Sequence, residues 1–204
     1  MNYRADTLCG LFHNQALRYG DRFVFLTGRF EADGRASDKF SSRTWKQVRE
    51  EAIALAKGLM ALGIKKKDKV VIYSESRPRW IIADQAVQAC RAIGVPLYPT
   101  VSEEELDYML EDSESCLAIV STPEKARRVL KVTAGKAKMP VIMMSPWDDV
   151  GQKPEGVYTF PEVFALGDPK VKLDVIEEGI RSVVPEDVAS IIYTSGTTGK
   201  QKGV

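Results

Sequence analysis

The chain has 204 residues, of which 44% are hydrophobic and 28% charged, and these proportions are ordinary for a globular protein. Lysine and arginine number 29 against 28 aspartate and glutamate residues, so the net charge of +1 excludes the strongly basic surface typical of nucleic-acid-binding proteins. The 3 cysteines have no CxxC spacing and no apolar run approaches the length of a bilayer span, so we expect a cytoplasmic globular protein without a disulfide framework.

The first predicted element is a short helix over residues 7–20. Thr7 can cap its first turn and Gly20 can end it. An apolar stripe along this helix consists of Leu8, Phe12, Ala16 and Tyr19. The helix also carries His13, the 1 histidine of the chain, which disfavours a Ser-His-Asp triad or a multi-histidine metal site. We expect His13 to be a surface residue.

A β-hairpin and a long helix are predicted next. Two β-prone runs, residues 23–30 and 40–44, flank a polar turn. Thr44 then begins a helix, and Gln47 stands three residues on, as in a capping box. Apolar residues recur along it at three- and four-residue steps and predict one buried face: Trp45, Val48, Ala52, Leu55, Leu59 and Leu62.

From residue 69 onward, strands and helices alternate. We predict strands over residues 69–73, 95–98, 116–120, 141–144 and 188–193. We predict helices over residues 78–93, from the capping-box pair Ser102 and Glu105 onward, over 123–134, and over 171–181. Residues 148–166 are predicted to lack regular structure, and Cys90 and Cys116 are predicted to be buried thiols. The alternation predicts an α/β fold with an open, mostly parallel sheet flanked by helices.

A loop rich in glycine, hydroxyl and lysine side chains follows the last predicted strand. Its residues are Thr194, Ser195, Gly196, Thr197, Thr198, Gly199 and Lys200, with Lys202 close behind. Ligands of open α/β sheets bind at the carboxyl ends of the strands. Glycines let several N–H groups converge on one anion, and the hydroxyl and ammonium groups add donors and charge. The pattern predicts a polyphosphate site, and the alternative is a plain flexible loop.

Neither of the two common nucleotide loops fits this segment. A Walker A loop has four residues between its glycines and a Ser or Thr after its lysine. Here only Thr197 and Thr198 separate the glycines, and Gln201 follows Lys200. The GxGxxG pattern of dinucleotide-binding folds is absent as well.

Residues 193–203, Tyr-Thr-Ser-Gly-Thr-Thr-Gly-Lys-Gln-Lys-Gly, resemble the signature phosphate loop of the adenylate-forming superfamily, the AMP-binding enzymes that include acyl-CoA synthetases. Residues 61–80 and 92–110 are similar to earlier blocks of the same family. Arg-Pro-Arg-Trp at 77–80 and Leu-Tyr-Pro-Thr at 97–100 resemble the long-chain fatty acid–CoA ligase branch. The resemblance runs along essentially the whole chain.

The resemblance implies a two-step acyl transfer with ATP, Mg2+ and coenzyme A. A carboxylate attacks ATP to give an acyl-adenylate and pyrophosphate, and the thiol of coenzyme A then displaces AMP. By the same resemblance, Thr194 meets the magnesium ion, and Ser195, Gly196, Thr197, Thr198 and Gly199 surround phosphate oxygens. Lys202 is the expected charge partner of the phosphates, and Lys200 a mobile screening charge.

The resemblance also limits what this chain is expected to do. It covers only the N-terminal portion of such an enzyme, so residues 1–204 are interpreted as a partial AMP-binding domain without the C-terminal domain. The catalytic lysine of the family lies beyond the end of the chain, so we expect no turnover by the chain alone. Gln201 stands where the family usually has proline, which is expected to loosen the loop slightly.

Two alternatives stay open: a non-catalytic folding or interaction module, and another acid–thiol ligase of the same superfamily. The expected partners are small molecules, namely a fatty acid, ATP and coenzyme A, with no nucleic acid. The resemblance also allows a homodimer and a peripheral contact with membranes. The lysine-rich run at residues 65–69 could attract anionic lipid, although a solvated turn explains it better.

Overall fold

The computed structural model describes residues 2–30, 36–147, 151–194 and 200–204. The helices are α1 (Leu8–Tyr19), α2 (Trp45–Ala61), α3 (Pro78–Ala89), α4 (Glu103–Asp112), α5 (Pro123–Val132), α6 (Phe160–Gly167) and α7 (Leu173–Arg181). The strands are β1 (Phe23–Phe30), β2 (Ala36–Thr44), β3 (Lys69–Tyr73), β4 (Ile93–Leu97), β5 (Ser115–Val120), β6 (Val141–Met143), β7 (Val157–Thr159), β8 (Tyr193–Thr194) and β9 (Lys202–Gly203).

The centre of the fold is a sheet of five parallel strands in the order β4-β3-β5-β6-β7. This confirms the predicted open parallel sheet. The predicted hairpin is confirmed as well, because β1 and β2 pair antiparallel. In the central sheet the chain moves from β3 to β4 on one side and later to β5 on the other. The strand order therefore reverses at β3, and the crevice beyond the carboxyl ends is where such sheets bind ligands.

Helices cover the sheet on both faces, as the apolar strands predicted. Along β3, Val70 and Ile72 point into a core built with α1, α2, α3, α6 and α7. The alternate residues Val71 and Tyr73 point into a second core with α4 and α5. All four side chains are fully buried. Each buried aliphatic side chain contributes about 1.5–3 kcal/mol relative to an exposed one, so the two cores hold the sheet between its helices.

The predicted capping boxes begin helices at the expected residues. At the start of α2 the Gln47 backbone N–H donates to Thr44 Oγ1 at 3.2 Å, and the Thr44 N–H donates to Gln47 Oε1 at 2.9 Å. The corresponding pair Ser102 and Glu105 begins α4. Each box satisfies two backbone donors that a helix leaves free at its amino end.

The prediction that residues 148–166 lack regular structure is wrong. Residues 148–150 lie outside the described part of the chain, but β7 and α6 follow them. The start of α6 is a third capping box, in which Glu162 accepts hydrogen bonds from the backbone N–H and hydroxyl of Thr159. Phe160 and Val163 are fully buried against α2. The Thr-x-x-Glu signature was present in the sequence, but the polar residues before it obscured it.

The predicted buried stripe of α1 is wrong in part. Its buried residues are Cys9, Gly10, His13 and Ala16, whereas Leu8 is 63% exposed. His13 was expected at the surface and is instead completely buried. It packs between the rings of Tyr3 and Phe12, with centroid distances of 5.6 and 5.0 Å. The reason is that α1 packs on α2, α3 and α7 through the side that carries Cys9, Gly10 and His13, and the spacing of apolar residues does not reveal this tertiary contact.

The exposure of Cys116 and the end of α3 differ from the predictions. Cys90 is buried as expected, but Cys116 is exposed, because the pairing of β5 with β3 skips this residue in a register shift. α3 ends at Ala89 rather than at residue 93, because Arg91 adopts a left-handed conformation with φ of 55°. In the part of the chain that the structure describes, no helix is both long and apolar enough to cross a bilayer.

Candidate functional site: a predicted phosphate loop beside helix α4

The predicted phosphate loop connects two short antiparallel strands. Thr194 at the end of β8 is the direct pairing partner of Lys202 in β9. Residues opposite each other in an antiparallel pair project from the same face, so the hydroxyl of Thr194 and the ammonium of Lys202 share one side of the hairpin. Both residues are exposed. The structure thus brings together the two outer members of the predicted site.

The middle of the predicted site lies outside the described residues. This applies to Ser195, Gly196, Thr197, Thr198 and Gly199. Their assignment as phosphate ligands stays a prediction. The described residues Thr194 and Lys200 flank residues 195–199.

The hairpin stands at the carboxyl edge of the sheet. Before it, the chain runs parallel to β4 as an additional edge segment, with a bridge between Ser190 and Gly94. The Gly94 N–H donates to Ala189 O at 3.0 Å, and the Ile191 N–H donates to Gly94 O at 2.9 Å. Tyr193, three residues past the bridge, is level with the end of β4. The predicted strand over residues 188–193 therefore has sheet pairing only at this bridge and in β8. The predicted loop begins at the carboxyl ends of the strands, where ligands of such sheets bind.

The first end of the loop is anchored in the core by Tyr193. Its ring is buried among residues of β3, β4 and α4. Its hydroxyl donates to Asp112 Oδ2 at 2.7 Å. Burial, followed by the hydrogen bond to this carboxylate, raises the pKa of the Tyr193 phenol, so the hydroxyl stays a proton donor at neutral pH.

The second end of the loop is held by the same helix. The Tyr108 hydroxyl donates to the backbone carbonyl of Gln201 at 3.0 Å. The Lys200 ammonium lies over the Tyr108 ring, 5.3 Å from its centroid, within the range of a cation–π contact. The role of Lys200 as a mobile screening charge stays a prediction.

A third contact joins the side chain of Gln201 to the start of α4. Its Nε2 donates to Glu105 Oε1 at 2.9 Å, while Glu105 Oε2 accepts from the Ser102 N–H at 2.7 Å. The hydrogen bonds from Ser102, and then the one from Gln201, lower the pKa of the Glu105 carboxyl. Gln201 was expected to loosen the loop, and the structure gives it a side-chain anchor instead. Sequence reasoning explained Glu105 by capping alone and missed this second role.

A separate charged cluster lies beyond the carboxyl ends of β3 and β5. Glu75, just past β3, accepts hydrogen bonds from Lys125 of α5 and from Arg77, the latter at 3.4 Å. Burial alone would raise the pKa of the Glu75 carboxyl, but the hydrogen bond from Lys125 and other favourable contacts hold it at about 2. Arg77 also donates to Ser145 Oγ at 3.3 Å and so ties the ends of β3 and β6 together. These ion pairs stiffen the carboxyl edge beside the loop.

A family model described as AMP-binding enzyme matches residues 12–204. The chain belongs to the AMP-binding enzyme family. A chloroplastic long-chain-fatty-acid–[acyl-carrier-protein] ligase of Arabidopsis thaliana is 30% identical over 204 residues, which cover 95% of this chain and 27% of that protein. A long-chain-fatty-acid–CoA ligase of Mycobacterium bovis is 33% identical over 171 residues, 84% of this chain and 26% of that protein. The chain thus spans about a quarter of the length of these relatives.

Solved structures share the fold of this AMP-binding chain. A long-chain-fatty-acid–CoA ligase from Archaeoglobus fulgidus superposes with a TM-score of 0.73 at 20% identity, covering 100% of this chain and 37% of that one. A fatty acyl-adenylate ligase from L. pneumophila, in complex with acyl adenylate and pyrophosphate, gives 0.65 at 19% identity, covering 98% and 30%. These likenesses place the parallel sheet and the N-terminal hairpin in an adenylate-forming fold.

Proposed function

We propose that residues 193–203 bind the polyphosphate of ATP in an enzyme that activates long-chain fatty acids and transfers them to coenzyme A. The observation that carries the proposal is the hairpin at the carboxyl edge of the sheet, which presents Thr194 and Lys202 side by side at the two ends of a segment rich in glycine and hydroxyl groups. The names of the relatives support the fatty acid as substrate class. Because the chain spans about a quarter of their length, the ligase reaction is proposed for an enzyme built around this segment.

In the proposed reaction a fatty-acid carboxylate oxygen attacks the α-phosphorus of ATP. The bond from this phosphorus to the oxygen bridging to the β-phosphate breaks, and pyrophosphate leaves with the negative charge that develops on it. The loop supplies donors for that charge: the hydroxyls of Thr197 and Thr198, the backbone of Gly199 and the ammonium of Lys202. Donors arranged before the reaction stabilise a transition state because they need not reorganise, and removing one costs about 2.7–4 kcal/mol in oxyanion-type sites.

Magnesium fits this site as an ion held mainly by phosphate and water. Mg2+ prefers hard oxygen ligands and usually retains several waters. The exposed Thr194 hydroxyl lies on the same side of the hairpin as Lys202 and can serve as one oxygen ligand, with Ser195 and Gly196 next in the chain. The ion would neutralise phosphate charge as pyrophosphate departs. Coenzyme A is proposed as the acceptor in the second step, in which its thiol sulfur attacks the acyl carbon and AMP leaves.

Titration of the 204-residue chain with Mg·ATP in a calorimeter tests the proposal. Lys202→Ala is expected to weaken binding at least about tenfold, because hydrogen bonds to charged groups contribute about 1.5–3 kcal/mol. Lys138→Ala is the matched control. This lysine precedes β6 and so lies at the amino ends of the strands, away from the loop. Its side chain is 90% exposed, and its ammonium is 3.6 Å from the Glu155 carboxylate. Equal affinities for the two variants would contradict the assignment, and a chain that binds no ATP would favour the non-catalytic module.

Association with membranes and with a second copy are further proposals for the same protein, together with a cytoplasmic location. The lysine-rich turn before β3 is the feature that would meet anionic lipid. Two ammonium groups within residues 65–69 already pair with carboxylates, Lys66 with Asp187 at 3.3 Å and Lys69 with Glu114 at 2.9 Å. Cosedimentation with vesicles of anionic lipid tests the contact, and sedimentation equilibrium tests the dimer.

A further inference from the structure

One face of α4 contacts both ends of the phosphate loop. Glu105, Tyr108 and Asp112 follow one another at intervals of three and four residues, so they lie on one side of the helix. Asp112 accepts the hydrogen bond of Tyr193 before the loop, and Tyr108 and Glu105 hold Gln201 after it. The contacts join residues more than eighty positions apart in the chain, so they arise only in the folded protein.

We propose that Gln201 is a positioning residue for the polyphosphate of ATP, acting through Glu105 and the amino end of α4. The inference rests on the function proposed above. Gln201 and Lys202 are adjacent, so a hydrogen bond that fixes Gln201 also limits where the Lys202 ammonium can stand. The conformational entropy of Gln201 is lost when the protein folds. Less entropy is therefore lost on ATP binding than if this residue were mobile in the free protein.

The Glu105 carboxylate is suited to this role because each of its oxygens has a separate task. Oε2 accepts from the Ser102 N–H at 2.7 Å, and in return the Glu105 N–H donates to Ser102 Oγ at 3.1 Å. This reciprocal pair fixes the carboxylate on the first turn of the helix. Oε1 takes no part in the cap and accepts a hydrogen bond from Gln201 Nε2 at 2.9 Å. The loop is thereby tied to a rigid helix terminus rather than to a mobile side chain.

The Glu105 carboxylate favours a hydrogen-bond donor over a carboxylate at position 201. A carboxylate there would face the Glu105 carboxylate and repel it. Glu105 is replaceable by glutamine in a capping box, because one side-chain oxygen suffices for the Ser102 N–H. Glutamine at position 105 would then offer its amide N–H to a carboxylate at position 201. The direction of the hydrogen bond can thus be reversed without removing the helix cap.

This reversal gives a rescue experiment on the 204-residue chain, with Mg·ATP as the probe in calorimetry. Gln201→Glu alone is expected to raise the Kd about tenfold, the change that corresponds to about 1.4 kcal/mol. Adding Glu105→Gln is expected to restore most of the affinity. Adding Glu104→Gln instead, which removes an exposed charge from the same helix turn, is the matched control and is expected not to restore it. The defect of Gln201→Glu should also shrink as the pH falls towards 5, since one of two facing carboxyls then takes up a proton.

The outcomes separate this inference from the function on which it rests. If the unaltered chain binds Mg·ATP and Gln201→Glu binds it equally well, the positioning role is wrong while the function stands. Equal rescue by both second substitutions would show a general charge effect and would also overturn it. If the unaltered chain binds no Mg·ATP, the proposed function fails and the positioning role with it. The side-chain amide signal of Gln201 in a nitrogen-15 NMR spectrum, followed while Glu105 titrates, then still reports whether the contact exists.

Discussion

Acidification from pH 7 to pH 5 is expected to destabilise the protein through His13. The ring is completely buried, and neither of its nitrogens has a hydrogen-bond partner among the described residues. Burial, and then the positive charge of Arg49, lower the pKa of His13 to about 3, although the nearby Glu177 acts in the opposite direction. In the unfolded chain the imidazole returns to its ordinary pKa of about 6.5.

The folded and unfolded pKa values of His13 determine the direction in which pH changes stability. Between them, the unfolded chain binds a proton that the folded chain does not, so the free energy of unfolding falls as the pH drops below about 6.5. At 1.36 kcal/mol per pH unit, the loss between pH 7 and pH 5 is about 2 kcal/mol. Most carboxyl groups stay ionised across this window, which isolates the contribution of the histidine.

Urea unfolding followed by tryptophan fluorescence, at pH 7 and at pH 5, measures this loss. The matched variant is His13→Leu, which removes the titrating group and breaks no hydrogen bond of the ring, since it makes none with the described residues. We expect the variant to lose about 2 kcal/mol less than the unaltered protein on acidification. An identical loss in both proteins would refute the assignment of the pH dependence to His13.

Two further substitutions test the packing of the fold and the anchoring of the loop. Gly58→Ala should lower the free energy of unfolding by about 1–3 kcal/mol, because the added Cβ would lie 2.1 Å from Val163 Cγ1 and 2.5 Å from Val163 O on α6; an unchanged urea midpoint would contradict this contact. Tyr193→Phe should cost about 1.5–3 kcal/mol, because it removes a hydrogen bond to the charged Asp112 carboxylate, and should also weaken Mg·ATP binding. Retention of full affinity would show that this anchor does not position the loop.

Local signals in the sequence were sufficient for most of the fold. The capping boxes at Thr44 and Ser102 predicted the starts of α2 and α4, and the apolar alternation predicted β3 with its observed bounds. Such signals involve neighbours within one turn or one strand, and neighbouring residues are known from sequence. The same kind of signal at Thr159 begins α6, a helix that the prediction for residues 148–166 omitted.

Features that depend on tertiary contacts were not predictable in this way. The burial of His13 follows from how α1 lies on three other helices, and the exposure of Cys116 follows from a skipped residue in strand pairing. The contacts of α4 with the two ends of the predicted phosphate loop are the clearest case. The loop motif predicted a polyphosphate site, but the bond between Gln201 and Glu105 spans 96 positions and has no local trace.

The central claim, that residues 193–203 receive the polyphosphate of ATP, is tested most directly by NMR. Backbone amide signals of the 204-residue chain are recorded as Mg·pyrophosphate is added. The account predicts that the largest shifts fall on residues 194–203, with smaller shifts at Glu105 and Tyr108 on α4. Shifts centred on other parts of the chain, or none at millimolar ligand, would contradict it.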